Sequence, residues 1–476
     1  MATTRVTVVG GGITGLACAW KLVRRAEKAG RALDVRVIEK SARVGGNIQT
    51  ERKGGFVIDG GPDSWIATKP QADELARSVE LGPHIIGTVE TNRRVYIAHD
   101  GALHPMPEGL VLGIPTEIRP MVETSLFSWD QKLRMGLEPL VPARAYAGDE
   151  DESVGAFIAR RLGDEMTERL VAPLLGGIFA GDAWHISVRA AFPQLVEAEK
   201  KYGSLVLAMR ALRKARAAQS ENGAAPSAFH SLREGMGSLV DALAERLGER
   251  VATGKTVRSV GRSPKGEAHA WSVELDDGAI ARSDAVVLAG PAHASAQMLA
   301  GLDPELSARL GSFMGYASSA TVFFAFKRHA VEHALDATGF IVPRTLGRPI
   351  LAGTWVSSKW DHRAPAGHVL MRAFVGGIGF EHVLERDDAE LATLALGELR
   401  RLMSIPGEPL FTIVHRFNRA SPQPNVGHLA RFRGIRESVA RHRGLYVAGS
   451  GFDGVGIPDC VKQADAIADR ILASSA

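Results

Sequence analysis

Gly10, Gly12 and Gly15 have the spacing of a turn that can hold a phosphate. The first permits a tight turn, the second lets a ligand approach the main chain, and the third lets the following helix lie close to the preceding strand. Ile13 and Thr14 stand at the head of that helix, where free amides and the helix dipole favour an anion. Glu39, expected at the end of the next strand, would accept hydrogen bonds from a ribose hydroxyl pair and disfavour a 2′-phosphate. Lys40 and Arg43 follow, with Gly45 and Gly46 behind them. A cation and glycines there suit a second pyrophosphate contact, which a nicotinamide dinucleotide does not need. The set argues for FAD lying extended across the domain. The same residues would also serve a plain turn and a basic surface loop.

At the far end, residues 444–460 read GLYVAGSGFDGVGIPDC. Gly449, Val455, Gly456 and Ile457 lead into a helix expected to open at residue 458 or 459, its amides facing a flavin ring or a phosphate. A cofactor held by both ends needs a chain that returns to its own start.

The elements that must position these residues can be read from pattern. Residues 5–9 form a buried parallel strand, 13–25 a helix and 34–39 a second strand, a βαβ unit. Residues 71–82 predict a helix, and 94–105 a strand pair. The stretch from 105 to 210 is mostly helical and broken by prolines. Residues 211–229 read as a helix end running into a flexible linker. A glycine turn and helix follow, then short strands through 290. Residues 318–328, 339–343 and 369–377 predict a second sheet, and 388–403 a helix.

The chain has 476 residues and a formal charge of +4, too weak a surplus to point to nucleic acid. Its two cysteines, Cys18 and Cys460, form no framework, which leaves disulfide scaffolds and zinc sites without support and suggests a reducing compartment. No window reads as a spanning helix or a secretory signal, so a cytoplasmic protein is expected, at most peripheral on the inner face of the cell membrane. His185, His230 and His428 are scattered and read as structural. The acidic run 149–152 reads as a helix start or a solvated segment. Lys200, Lys201, Arg210, Arg213 and Lys214 read as a solvated face that could also meet anionic lipid.

The GGGITGLACAW start, EKSARVGG at 39–46, GGFVIDGGPDSW at 54–65 and the terminal GVGIPDC resemble the amine oxidase-like flavoprotein superfamily. Within it the chain resembles the oxygen-dependent protoporphyrinogen oxidase family. The resemblance runs in order over nearly the whole length, through TNRRVYI and GALHPMP, residues 174–205, TGFIVP at 338–343 and SPQPNVGH at 421–428. It implies an α/β fold: a Rossmann-like FAD domain (1–90, 230–300 and 421–476), a mixed-sheet substrate domain (301–420) and an inserted helical membrane-associated domain (91–210), with the linker at 211–229. It also implies that Gly61, Pro62, Asp63 and Ser64 form a cofactor turn and that Val257 lies on the adenine side.

The activity implied is oxidation of protoporphyrinogen IX, six electrons and six hydrogens leaving in three steps, with oxygen as acceptor and peroxide as product. Such a substrate needs a cation for its propionates, and Arg93 after Asn92 matches the family pattern. It needs apolar faces, placed by the motifs at Ile341, Thr354 and Phe374. It needs a backbone carbonyl, placed at Gly177. Thr354 departs from the family, where an aliphatic residue is common, and Gly176 stands where an arginine is common. No metal or acid–base set is implied, and a homodimer is compatible. The alternatives are a coproporphyrinogen III oxidase, whose substrate carries four propionates, another FAD oxidase of an amine or carotenoid, and a flavin-binding protein without catalysis.

Overall fold

Val6, Val8 and Val9 bury on both faces of strand Thr4–Val9, as a strand inside a parallel sheet must. The computed structural model describes residues 3–219 and 227–474, so residues 220–226 of the expected linker lie outside the described residues. Thr4–Val9 is the centre of a five-stranded parallel sheet in the order Val251–Ala252, Leu33–Ile38, Thr4–Val9, Ala285–Leu288, Leu445–Val447. Strands from the start, the middle and the end of the chain thus meet, as the two-ended cofactor grip requires.

Helix Ile13–Lys28 and the C-terminal helix Ile457–Ser474 pack together on one face of this sheet. The C-terminal helix buries Ile457, Cys460, Val461, Ala464, Ile467, Ala468 and Ile471, one apolar stripe at helical spacing. Asp465 accepts from Lys21 at 2.6 Å and Arg25 at 2.8 Å, tying the two helices at their polar margin. On the other face lie a three-stranded antiparallel sheet and helices Ala292–Leu299 and Pro304–Gly311. The first lies in the expected FAD segment, whereas Pro304–Gly311 was expected in the substrate domain. Leu299, Leu306 and Leu310 all bury against Val286 and Leu288 of the parallel sheet.

The second sheet has seven strands in the order Phe411–Gln423, Gly315–Lys327, His368–Gly376, Ile350–Trp355, Gly339–Ile341, Tyr96–His99, Ala102–Pro105. It is antiparallel except where Gly339–Ile341 runs parallel to Tyr96–His99. The strand pair after residue 94 therefore belongs to this sheet and not to the helical insertion. Helix Asp388–Leu402, opened by a capping box of Asp387 and Glu390, covers the back of the sheet with Leu391, Ala395 and Leu399. Trp355 is fully buried on this back face.

The helices between residues 119 and 219 share one core, which takes in Ile341 and Ala352 of the sheet. Helix Leu205–Gln219 runs well into the expected linker, because its Ala, Leu and Arg residues are strong helix formers. On the far side the chain is already in strand Phe229–Leu232. The helix expected over 71–82 ends at Ser78, four residues early.

Buried charges brace the helical region. Arg161 and Glu138 are fully buried; Arg161 donates Nε to Glu138 at 2.7 Å, and Glu138 also accepts from Ser204 Oγ at 2.5 Å and the Leu205 amide at 2.9 Å, capping a helix start. Glu199 accepts from Arg160 at 2.7 Å and Arg161 at 3.2 Å. Glu152 of the acidic run is buried and accepts from Arg160 at 2.9 Å, while Asp151 accepts from the Gly427 amide at 2.9 Å. Asp151 and Glu152 therefore clamp distant segments, while Asp149 and Glu150 stay exposed and the run leads into Ser153, the N-cap of helix Val154–Leu162. Arg161→Met, which leaves Glu138 buried without its charge partner, is expected to lower unfolding free energy by about 3–5 kcal/mol. Arg433→Ala, which removes the exposed pair with Asp149, is expected to leave the urea midpoint unchanged.

Candidate functional site

The glycine turn adopts the geometry its spacing predicts. Gly10 has φ +108°, and a Cβ there would stand 2.9 Å from the Ala289 carbonyl oxygen. A Cβ on Gly15 would collide with the Gly10 carbonyl oxygen. A Cβ on Gly12 would meet no described atom within 4 Å. Gly12 is the N-cap of helix Ile13–Lys28, with no side-chain cap and no acidic residue in the first turn. The side chains of Ile13 and Thr14 are buried, so what these residues offer outward is their amides. An uncapped helix start beside open space is a fitting cradle for a phosphate.

Glu39 is almost fully buried, its carboxylate accepting from the Gly11 amide at 2.7 Å and the Ser41 amide at 2.8 Å. Each oxygen retains a second lone pair for a hydroxyl. The amides of Gly254 and Lys255 donate to the carbonyls of Ser41 and Glu39, which brings the segment leading to Val257 beside this acid. Lys40 is exposed.

Arg43 does something other than expected. Its guanidinium donates to the carbonyls of Gly46 at 2.7 Å, Val44 at 3.0 Å and Ile48 at 3.1 Å, and to Gln49 Oε1 at 3.0 Å. The arginine thereby closes its own loop. The loop in turn bridges to the cradle, since Gly45 pairs with Gly12 and the Gly45 amide donates to the Gly11 carbonyl at 2.8 Å. Gly61 packs so tightly on Asn47 that a Cβ would strike its carbonyl oxygen. A continuous path results, from Glu39 past Gly12 and Gly46 to Gly61.

The C-terminal segment closes this path from the side. Gly449 has φ +142°, and a Cβ there would stand 3.0 Å from the Gly290 carbonyl oxygen. Val455 packs on the helical core and Ile457 on the core beneath helix Ile13–Lys28. The helix opens at Ile457, and Asp459 in its first turn accepts from the Gly456 amide at 3.2 Å and pairs with Lys69 at 2.5 Å. This helix start thus already holds a carboxylate, unlike that of helix Ile13–Lys28.

The second sheet presents its front face beyond Gly61. Register places Ile341 opposite Ala352, Ala352 opposite Phe374 and Phe374 opposite Thr321. Thr354, two residues from Ala352, lies opposite Arg372, two residues from Phe374. Ile341, Thr354 and Phe374 therefore share one face, as period-two alternation requires. Gly177 lies exposed in the last turn of helix Ala172–Phe179, where carbonyls lack intrahelical partners, and a Cβ on it would touch no described atom within 4 Å. Gly176 faces Leu351 at 3.8 Å. Arg93 is exposed and follows a short turn, Glu90–Asn92. The strand begins only at Tyr96, so alternation does not separate Arg93 from Arg94. The loop carrying Arg93 is held by Asn92, whose side-chain amide donates to the Ser358 carbonyl at 3.1 Å.

The largest feature missed in the sequence is a charge cluster around Asp63. Its carboxylate accepts from Lys359 Nζ at 3.0 Å, Arg372 Nη2 at 2.9 Å, Trp360 Nε1 at 3.2 Å and Ser64 Oγ at 2.9 Å. Arg372 also donates to the Gly61 carbonyl at 3.2 Å, and its guanidinium lies 4.3 Å from the Phe374 ring centroid. Burial raises the Asp63 pKa, but Lys359 and Arg372 outweigh it and hold the carboxyl well below the usual range. Burial pulls the Lys359 ammonium below its ordinary value, with Asp63 opposing. The side chain of Asp63 is thus spent on the second sheet, and only the backbone of the Gly61–Ser64 turn is left for a cofactor. One signal was available: a charged residue on the inward side of LMRAFVGG. The histidines are structural: His230 pairs with Asp73 at 3.0 Å, His185 with Asp182 at 3.1 Å, and His428 stacks on Phe313.

The model of the flavin-containing amine oxidoreductase family matches residues 13–472. The chain belongs to this family. It is 37% identical to a coproporphyrinogen III oxidase of Bacillus subtilis (strain 168), covering 97% of this chain and 96% of that protein. It is 34% identical to one of Staphylococcus aureus, covering 99% of each, and 28% identical to chloroplastic protoporphyrinogen oxidase 1 of Arabidopsis thaliana, over 97% and 87%. A solved structure from Exiguobacterium sp. 255-15, provisionally assigned as a protoporphyrinogen oxidase, superposes with TM-score 0.85 at 33% identity over the whole of both chains. This flavin oxidoreductase takes FAD as cofactor, and the cradle fits it. Gly12→Ala is expected to melt like the parent when both are stripped of flavin, yet to lose flavin absorbance on gel filtration. Gly15→Ala should lose both flavin and several degrees of melting temperature, since the helix must move off Gly10.

Proposed function

We propose that this flavin oxidoreductase oxidises coproporphyrinogen III to coproporphyrin III, a porphyrinogen oxidation of haem synthesis. This replaces the expectation of protoporphyrinogen IX as substrate. The observation that carries the reading is the apolar front face of Ile341, Thr354 and Phe374, set at the end of the cofactor path. The choice between the two porphyrinogens leans on the names of the relatives, since those at 37% and 34% identity are coproporphyrinogen oxidases and the plant protoporphyrinogen oxidase stands at 28%. A second cation favours the substrate with four carboxylates. Arg344 comes within 3.3 Å of the position a Cβ would take on Gly377, on the wall formed by Leu351, which also faces Gly176. It stands near where the family arginine is missing.

FAD, when bound, supplies a two-electron acceptor that oxygen can restore, and three such rounds remove the six electrons and six hydrogens. The chain's own residues position the macrocycle. Phe374 and Ile341 offer it an apolar wall, and the last-turn carbonyl of Gly177 can accept from a pyrrole N–H. Arg93 pairs with a propionate at the rim, and the Asn92 anchor sets its loop. The helical core closes over Ile341 and keeps water from that side. Purified protein given each porphyrinogen and oxygen should show a higher kcat/KM for the four-carboxylate substrate, read from porphyrin fluorescence. Arg93→Ala should raise KM about tenfold, the loss of roughly 1.4 kcal/mol of charge-assisted hydrogen bonding, with flavin content unchanged. Preference for protoporphyrinogen would return the reading to the other branch.

We also infer that the protein rests on an anionic bilayer through the helical region. Trp129, Leu133, Leu137 and Leu140 recur along one side of helix Trp129–Gly136 and the turn after it, and Trp129 and Leu140 are more than 70% exposed. Lys132 lies 4.6 Å from the Trp129 ring centroid and donates to the Val122 carbonyl at 2.8 Å, which joins Ile118 and Val122 to the same patch. Among the described residues no helix is long and apolar enough to cross a membrane. Apolar side chains edged by a cation suit the headgroup boundary. The protein should sediment with vesicles containing phosphatidylserine, and Trp129→Ser with Leu133→Ser should abolish this. Sedimentation unaffected by the double change would discard the patch.

A further inference from the structure

The cluster around Asp63 holds more positive charge than its neighbourhood cancels. Lys359 and Arg372 bring two cations to one carboxylate, and the three side chains are 15%, 4% and 9% exposed in the order Lys359, Arg372, Asp63. The adjoining buried acid, Asp59, is matched by Arg363 at 2.8 Å, so it neutralises nothing here. Arg372 Nε is buried and without a hydrogen-bond partner among the described residues. A buried charge without a counter-charge is costly and is retained where something else uses it. Welding the two sheets would need only one cation opposite Asp63. The second is surplus to that task, and it is also the one that touches the cofactor turn, through the Gly61 carbonyl, and the substrate face, through Phe374.

We propose that Asp63, Lys359 and Arg372 form a buried cluster of net charge +1 that sets the reduction potential of the flavin ring. This rests on the reading that the ring lies between the Gly61–Pro62 turn and Phe374. The charge flow of the reaction gives such a cluster a use. A hydride carries two electrons and one proton, so it turns the neutral oxidised ring into an anion. The porphyrinogen carbon that loses the hydride becomes a cation, which then releases a pyrrole N–H proton to solvent. A fixed positive charge in a water-poor site stabilises the anionic side of this exchange and needs no reorganisation when the hydride arrives. Lys359 also joins the cluster to substrate binding, because Ser358 and Lys359 accept from Asn92 and from the Val89 amide in the loop that carries Arg93.

The test is the two-electron midpoint potential of the flavin-loaded protein, equilibrated with a reference dye and read from flavin absorbance, with no porphyrinogen present. Arg372→Gln and Lys359→Met each remove one positive charge. Each should shift the oxidised–reduced equilibrium about tenfold toward the oxidised form, a fall of about 30 mV for a two-electron couple. Asp63→Asn removes the negative charge and should shift the potential upward. Opposite signs for opposite charges are a signature that a purely structural cluster does not give. Three variants that shift together, or that keep the parent potential with flavin bound, overturn the proposal. If Arg372→Gln sheds its flavin, Lys359→Met and Asp63→Asn decide. Loss of flavin from all three assigns the cluster to the fold alone and equally overturns it. A protein inert toward every porphyrinogen would refute the proposed substrate while leaving this measurement intact.

Discussion

The buried carboxylate of Asp63, with Asp59 four residues before it, ties the second sheet to the cofactor domain. Asp63 follows strand Phe56–Asp59, and its partners come from about three hundred residues away, Arg372 from strand His368–Gly376 of the second sheet and Lys359 from the short helix Val356–Lys359 before it. Asp59, one helical turn's worth of sequence earlier, makes the same kind of bond to Arg363 and also accepts from the Met236 amide at 2.8 Å. Two acids four positions apart are thus answered by arginines of one distant segment. Removing a partner from such a pair leaves an uncompensated charge in low dielectric, which costs more than the intact pair contributes. The angle between cofactor path and apolar face is therefore fixed by charge, while dispersion and the hydrophobic effect fill the space around it.

Helix starts show a parallel division of roles. Ser128, Ser153, Ser187, Asp303 and Asp387 each accept a hydrogen bond from a first-turn amide of the helix they open, and Asp459 caps the C-terminal helix start. Helix Ile13–Lys28 has no such group, and a Cβ on its N-cap Gly12 would meet no described atom within 4 Å. Unsatisfied amides at a helix start carry a partial positive charge that water or an anion must meet. Helices such as Gln71–Ser78, Gly237–Leu247 and His428–Ala440 also open without a side-chain cap, and what distinguishes helix Ile13–Lys28 is that its uncapped start lies beside Glu39 and Gly46, where a dinucleotide's phosphates would meet it.

Much of this was legible in the sequence because it is local. The βαβ unit, the roles of Gly10, Gly12 and Gly15, the position of Glu39 and most strands of the second sheet follow from periodicity and turn chemistry within a few residues. What was not legible depends on partners far along the chain. Arg43 reads as a free cation until Gly46 and Ile48 are seen to fold back on it. The run 149–152 reads as solvated until Arg160 and the Gly427 amide meet it. Strand Phe411–Gln423 has no clean alternation, because as an edge strand it leaves most residues half-buried, and the helix end read at the start of 211–229 continues to Gln219. The preference between the two porphyrinogens rested on local reading in the same way. Gly176 was weighed as a lost cation, with no view of Arg344 on the neighbouring wall.

The departure at Thr354 finds its account in the same charge geometry. An aliphatic residue at that position would lie opposite Arg372 in the register and extend the apolar wall. Here the cross-strand neighbour is a buried guanidinium whose Nε has no hydrogen-bond partner among the described residues, so the face at Thr354 is already broken by a charge and the threonine widens a polar edge. Trp355 does not compensate for the lost apolar surface, since it points to the back of the sheet and donates to Met403 Sδ at 3.3 Å. The front face is thus apolar at Ile341 and Phe374 and polar at Thr354 and Arg372. Lys359 alone already ties the sheet to Asp63, and the proposed role toward the flavin gives the Arg372 guanidinium a second use.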